Sequence, residues 1–107
     1  MTFNTGSTSL DAIVLSVVAS DSEGTYGYKI TQDVRSILDV SESTLYPVLR
    51  RLQKDSLLET YDQEFCGRNR RYYKITAEGI LKLDECRREW IAYRKKINSI
   101  LLGETDD

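Results

Sequence analysis

The sequence predicts a mainly α-helical chain carrying one small β-hairpin, an α+β class, and three features point to it. Apolar residues recur at helical spacing through the first half of the chain and again near its end. Leu57 to Phe65 and Arg70 to Thr76 are rich in strand formers. Between those runs, Cys66-Gly67-Arg68-Asn69 has turn chemistry, with Gly67 and Asn69 both tolerant of positive φ.

The elements follow in order. Leu10, Ile13, Val14 and Val17 recur at i, i+3, i+4 and i+7, predicting a helix over residues 9–19 with one buried face and Ser9 as its N-cap. Ser20 to Gly24 is polar, ends in glycine and should stop that helix. Tyr26-Gly27-Tyr28 leads into a second short helix whose apolar face is Ile30, Val34, Ile37 and Leu38. Asp39-Val40-Ser41 makes a tight connection, and Ser41 suits the N-cap of a third helix containing Pro47. Residues 57–76 read as the hairpin. Thr76 then caps a long last helix with Glu78 in its first turn, where the helix dipole favours an acid. Three helices, a hairpin and a long helix are the layout of a winged helix-turn-helix followed by a C-terminal helix. The division expected is residues 1–76 for the winged part and 77–107 for a dimerisation helix with a short acidic tail.

Composition narrows the function. The chain has 107 residues, enough for one modest core that would gain from burial against a second copy. No apolar run approaches the ~20 residues needed to span a bilayer. The start, MTFNTGSTSLD, has no base before its first apolar run and does not read as a secretory signal, so a cytoplasmic chain without a membrane partner is expected. Histidine is absent, and Cys66 and Cys86 are the only cysteines, too few ligands for a zinc site. They are expected to be reduced thiols partly packed in apolar surroundings, and neither a metal nor a cofactor is expected. With no glycine-rich phosphate loop and no histidine to activate a cysteine, an enzyme is the weakest reading. The net charge of −2 hides a gradient: residues 1–26 carry −3, residues 27–76 carry +2, and residues 77–107 carry −1. For nucleic-acid binding the local excess matters more than the total.

The third helix sharpens this. At about 100° per residue, Leu45, Val48, Leu49 and Leu52 fall on one side and should face the core. Ser43, Pro47, Arg50 and Lys54 fall on the other, flanked by Thr44, Tyr46 and Arg51. A proline inside a helix removes one hydrogen bond and costs ~3 kcal/mol. Here the lost amide would reach back only to Ser43, and the ring points away from the core. Hydroxyls and helix N-terminal amides suit phosphates and base edges, and arginine suits guanine, so this face fits a major groove. The plain alternative is a solvated basic face. A second basic cluster at the hairpin, Arg68, Arg70 and Arg71, weighs toward double-stranded DNA.

Three blocks carry a family resemblance: Gly27-Tyr28-Lys29-Ile30, the run STLYPVLRRL from Ser43 to Leu52, and Arg71-Tyr72-Tyr73-Lys74-Ile75-Thr76-Ala77-Glu78-Gly79. In that order and spacing they make the chain, over about residues 8–100, similar to the PadR family of bacterial transcriptional regulators. The short C-terminal part resembles the compact subgroup with one long helix after the wing. The resemblance implies a homodimer binding a palindromic operator, repression of nearby genes, and release by a small hydrophobic, aromatic or phenolic effector. It implies that Tyr46 and Pro47 lie on the recognition helix and that Arg50, Arg51, Arg68, Arg70 and Arg71 contact DNA. Two departures stand out: Ser56 occupies a place where many members have glycine, and the Ser20–Thr25 connection is longer and more acidic than usual.

In the last helix, Leu83, Cys86, Trp90, Tyr93, Ile97 and Ile100 are spaced 3, 4, 3, 4 and 3, an a/d stripe that needs another helix to cover it. A second copy is the expected cover. The resemblance adds Leu10, Ile13, Val14 and Val17 of the first helix to that surface. Trp90 fits two readings, a large interface residue or the wall of a ligand pocket at the dimer centre. For the whole chain, a DNA-binding repressor stands against a winged-helix module that serves only protein–protein assembly.

Overall fold

The computed structural model describes residues 7–104, with side chains from residue 10 onward, so the acidic end of the tail lies outside the described residues. Seven elements follow one another: α1 (Ser7–Ala19), β1 (Thr25–Tyr26), α2 (Gly27–Arg35), α3 (Glu42–Lys54), β2 (Leu58–Phe65), β3 (Arg68–Ile75) and α4 (Ala77–Leu101). This is the α+β winged helix-turn-helix with a long last helix. Its sheet has three antiparallel strands in the order β1-β3-β2.

The core gathers Val14, Leu15 and Val18 of α1, Ile30 and Val34 of α2, and Leu45, Val48, Leu49 and Leu52 of α3, closed by Leu58, Tyr73 and Leu83. The α3 wheel is therefore correct residue for residue. The expectation for α1 needs correction. The helix starts at Ser7, so Ser9 lies inside it, and its side chain is outside the described residues. Its fully buried face is Val14, Leu15 and Val18, while Leu10, Ile13 and Val17 are only partly buried. Residues Leu10 to Ala19 are apolar on nearly all sides, so periodicity alone picked the flank of the buried face. Val14 has no exposed surface to give to a second copy. Ile37 also leaves the core; α2 ends at Arg35, and Ile37 sits in the following turn, 75% exposed.

The starts of α3 and α4 follow the predicted chemistry. The Ser41 hydroxyl accepts from the Thr44 amide at 3.2 Å, and the Thr76 hydroxyl accepts from the Gly79 amide at 2.9 Å. α3 runs unbroken through Pro47, which lies on its exposed side. Gly79 is required by close approach, since a Cβ there would lie 2.1 Å from the Leu57 carbonyl oxygen. The hairpin turn is tighter than expected: Phe65 pairs with Arg68, leaving Cys66 and Gly67 as the loop, both at positive φ. Asn69 belongs to β3, and Cys66 is exposed at the tip rather than packed. Cys86 is buried, and desolvation pushes its thiol up from its ordinary value, which keeps it protonated.

The acidic connection after α1 is pinned to the sheet. Thr25 and Tyr26 pair with Tyr73 and Tyr72, and the Tyr61 hydroxyl donates to the Glu23 carbonyl at 2.6 Å. A second long-range tie joins α1 to α3, where the Arg51 guanidinium donates to the Asp11 carboxylate. Burial raises the Asp11 pKa above its ordinary 3.8, and the adjacent Arg51 charge opposes that rise.

Ser56, the departure noted in the sequence, forms the end of α3. Its amide donates to Gln53 at 3.0 Å and the Leu57 amide donates to Leu52 at 2.9 Å, the paired bonds of a Schellman cap. Ser56 holds φ at 64°, a left-handed conformation that costs a Cβ-bearing residue about 1–2 kcal/mol. Ser56→Gly should therefore raise folding stability by about 1 kcal/mol, read as a higher midpoint in denaturant. An unchanged or lower midpoint would show that this turn carries no such strain.

Candidate nucleic-acid interface

The first turn of α3 sets the interface. Ser41 holds Ser43 and Thr44 in a hydroxyl cluster, at 2.9 and 3.0 Å between oxygens. Ser43, Thr44, Pro47, Arg50 and Lys54 are exposed along one side of the helix, and Tyr46 is half-buried beside them. The four inward residues fix the azimuth of this face, so its side chains project from a rigid base.

The bases named from the sequence separate by environment. Arg50, Lys54 and Arg68 are exposed and form no ion pair among the described residues. Arg51 is exposed at its side but bound to Asp11 of α1, so part of its charge is already neutralised. Arg71 faces Asp62 across the hairpin at 3.6 Å, a solvent-exposed pair worth little. Arg70 is half-buried, its guanidinium lying 4.4 Å from the centre of the Tyr26 ring and 4.1 Å from that of Phe65. The structure thus brings α3 and the wing together as a basic surface, with three wholly uncommitted cations on it.

Between them lies a feature the sequence reading did not single out as a site. Tyr26, Gly27, Tyr28, Tyr46, Arg70, Arg71 and Tyr73 line a cleft of about 440 Å³. It opens at the start of α2, whose N-cap Tyr26 makes no side-chain capping bond. Gly27 allows the approach, since a Cβ there would lie 3.2 Å from the Tyr46 ring. Uncapped helix amides beside the Arg71 guanidinium suit an anion such as a phosphate. Burial raises the Tyr73 pKa, which keeps its phenol neutral on this basic surface. The available signal was Gly27-Tyr28, whose place at a helix start facing α3 depends on tertiary packing.

The second predicted surface is divided by the structure. Leu83 and Cys86 of α4 are buried within the chain, as Val14 of α1 is. Trp90 is 44% exposed, Tyr93 and Ile97 are partly exposed, and Ile100 is 77% exposed. Ala12, Ile13 and Ser16 of α1 and Leu83, Cys86, Arg87 and Trp90 of α4 line an apolar groove of about 240 Å³. Trp90 and Tyr93 stand 6.1 Å apart at its outer end. Among the described residues there is no cluster of metal ligands and no helix long and apolar enough to cross a membrane.

Comparison with known proteins agrees with this geometry. The profile of the transcriptional regulator PadR-like family matches residues 14–85, which takes in the core, α3 and the wing. A transcriptional regulator of Mycobacterium tuberculosis is 42% identical over 71 residues, 65% of each chain. A crystal structure from Streptococcus mutans superposes with a TM-score of 0.84 at 34% identity, covering 100% of this chain and 99% of that one. A PadR-like transcriptional regulator of Bacillus cereus superposes with a TM-score of 0.78 at 31% identity, covering 89% and 93% of the two chains. The family and its named members regulate transcription and are not enzymes. On the shared profile, the shared fold and the basic face of α3, this chain belongs to the PadR-like family of transcriptional regulators.

Proposed function

We propose that the chain acts in the cytoplasm as a homodimeric repressor that binds an inverted-repeat operator through α3 and the wing. The observation that carries this reading is the outward face of α3, where Arg50 and Lys54 stand uncommitted beside Ser43, Thr44, Tyr46 and Pro47. In the proposed complex that face enters the major groove, with Arg50 as its guanine or phosphate contact. Arg68 and Arg71 reach the flanking backbone from the wing, and the cleft at the start of α2 takes a phosphate. Arg51 contributes from its paired position, chiefly by holding α3 against α1.

The dimer forms along the exposed part of the α4 stripe, from Trp90 through Tyr93, Ile97 and Ile100, with Leu10, Ile13 and Val17 of α1 at its edge. On that surface Trp90 and Ile100 are exposed, and Tyr93, Ile97, Leu10, Ile13 and Val17 are partly exposed. The groove beneath Trp90 supports an effector reading, because a flat aromatic or phenolic compound could stack on a half-exposed indole there. Binding at that site would then release the operator by shifting the two DNA-reading heads.

DNA binding is tested by selecting duplexes from a random pool and measuring affinity against salt. The repressor should prefer a palindromic site over mixed sequence, and its affinity should fall steeply as salt rises. Arg50→Ala should lose about 1–3 kcal/mol of operator binding with unchanged stability. Arg51→Ala should instead lose about 1 kcal/mol of folding stability, since Asp11 is left half-buried without its partner. If no duplex is retained at any salt concentration, the assembly-module reading replaces this one. The effector is tested separately by titrating planar phenolic compounds: Trp90 fluorescence should be quenched as operator affinity falls, and unchanged emission removes the effector from the account.

A further inference from the structure

The outward face of the sheet carries an aromatic row. Tyr61, Tyr72 and Tyr26 are in register across β2, β3 and β1. Tyr61 stacks on Tyr72 with ring centres 5.3 Å apart and planes 11° apart, and Tyr26 meets Tyr72 edge-on at 5.8 Å. Two residues before Tyr72 in β3, on the same face, Arg70 lies between Tyr26 of β1 and Phe65 of β2. One guanidinium therefore touches an aromatic ring from each strand flanking its own.

The position of this contact gives it a mechanical consequence. β1 ends at Tyr26, so from Arg71 to Arg68 the wing is a two-stranded ribbon with no third strand beside it. Two-stranded ribbons twist more and are marginal in isolation. Phe65 is the last residue of β2 before the tip, and Tyr26 is the N-cap of α2. Arg70 thus braces the wing tip against the start of the helix-turn-helix. A planar guanidinium can stack on two rings at once, and a compact ammonium, which does not stack, fills that place less well.

We propose that Arg70 is a positioning residue: held between Tyr26 and Phe65, it fixes the angle of the wing and neutralises no phosphate itself. This rests on the DNA-binding reading above, and the test separates the two. Affinity for mixed-sequence duplex DNA is measured against salt for the native protein and for Arg70→Ala, Arg70→Lys, Phe65→Ala and Arg50→Ala. Arg50→Ala should flatten the salt slope by about 0.9, one phosphate contact. Arg70→Ala and Phe65→Ala should each weaken binding roughly fivefold at an unchanged slope, and Arg70→Lys should weaken it measurably despite keeping the charge. A flattened slope in Arg70→Ala with native-like binding by Arg70→Lys and Phe65→Ala would overturn the proposal. Hydrogen exchange supplies the arm that needs no DNA. Amides from Asn69 to Arg71 should exchange faster in Arg70→Lys and Phe65→Ala while Tyr73 stays protected, and unchanged exchange would also overturn it. If the native protein binds no duplex, the DNA reading fails while the exchange arm still decides whether Arg70 braces the wing.

Discussion

The burial of Leu45, Val48, Leu49 and Leu52 in one core is the contact on which the rest of this structure depends. Each such side chain contributes about 1.5–3 kcal/mol by leaving water, so together they hold α3 in a single rotation about its axis. That rotation decides which residues face outward. Ser43, Thr44, Pro47, Arg50 and Lys54 become a presented surface because the opposite side has no freedom to turn. The proline is tolerated for the same reason: it costs one backbone bond near the helix start, on the side that packing does not use. The Arg51–Asp11 bond adds a polar tie between α3 and α1 to the apolar one.

The basic residues of this chain divide by what they touch. A net charge of −2 would not select a nucleic-acid partner, and a count of bases near the middle of the chain overstates the surface available. Asp11 holds Arg51, Asp62 faces Arg71, and two rings hold Arg70, so of the bases named on α3 and at the hairpin tip Arg50, Lys54 and Arg68 form no ion pair among the described residues. The paired bases tie elements of the fold together, and in the proposed complex the unpaired ones meet the polyanion. This division also explains how a modest local excess of positive charge can serve a specific site: a few cations held at fixed positions read geometry, whereas a dense cloud would bind any duplex.

How much of this was legible in the sequence follows from the range of the interactions. The α3 wheel, the Ser41 and Thr76 caps and the hairpin were readable because each depends on residues within a few positions of one another. β1 was missed because two residues carry no period, and their strand character exists only through pairing with Tyr72 and Tyr73. The buried face of α1 was misjudged because its sequence is apolar nearly all round. The commitments of Arg51 and Arg70 were invisible for a third reason: their partners, Asp11, Tyr26 and, across the hairpin, Phe65, are brought near only by the fold. Ser56 shows the converse. The sequence marked it as a departure, and the backbone identifies it as a left-handed cap normally given to glycine.

The outward face of α3 with the wing and the partly exposed apolar stripe of α4 are separate surfaces, and the central claim is that DNA meets the former. The most direct test is an amide chemical-shift map recorded as duplex DNA is added. The account predicts the largest changes along Ser43 to Lys54, at Gly27 and Tyr28, and from Cys66 to Arg71. Changes confined to α4 beyond Trp90, with α3 and the wing unmoved, would contradict it.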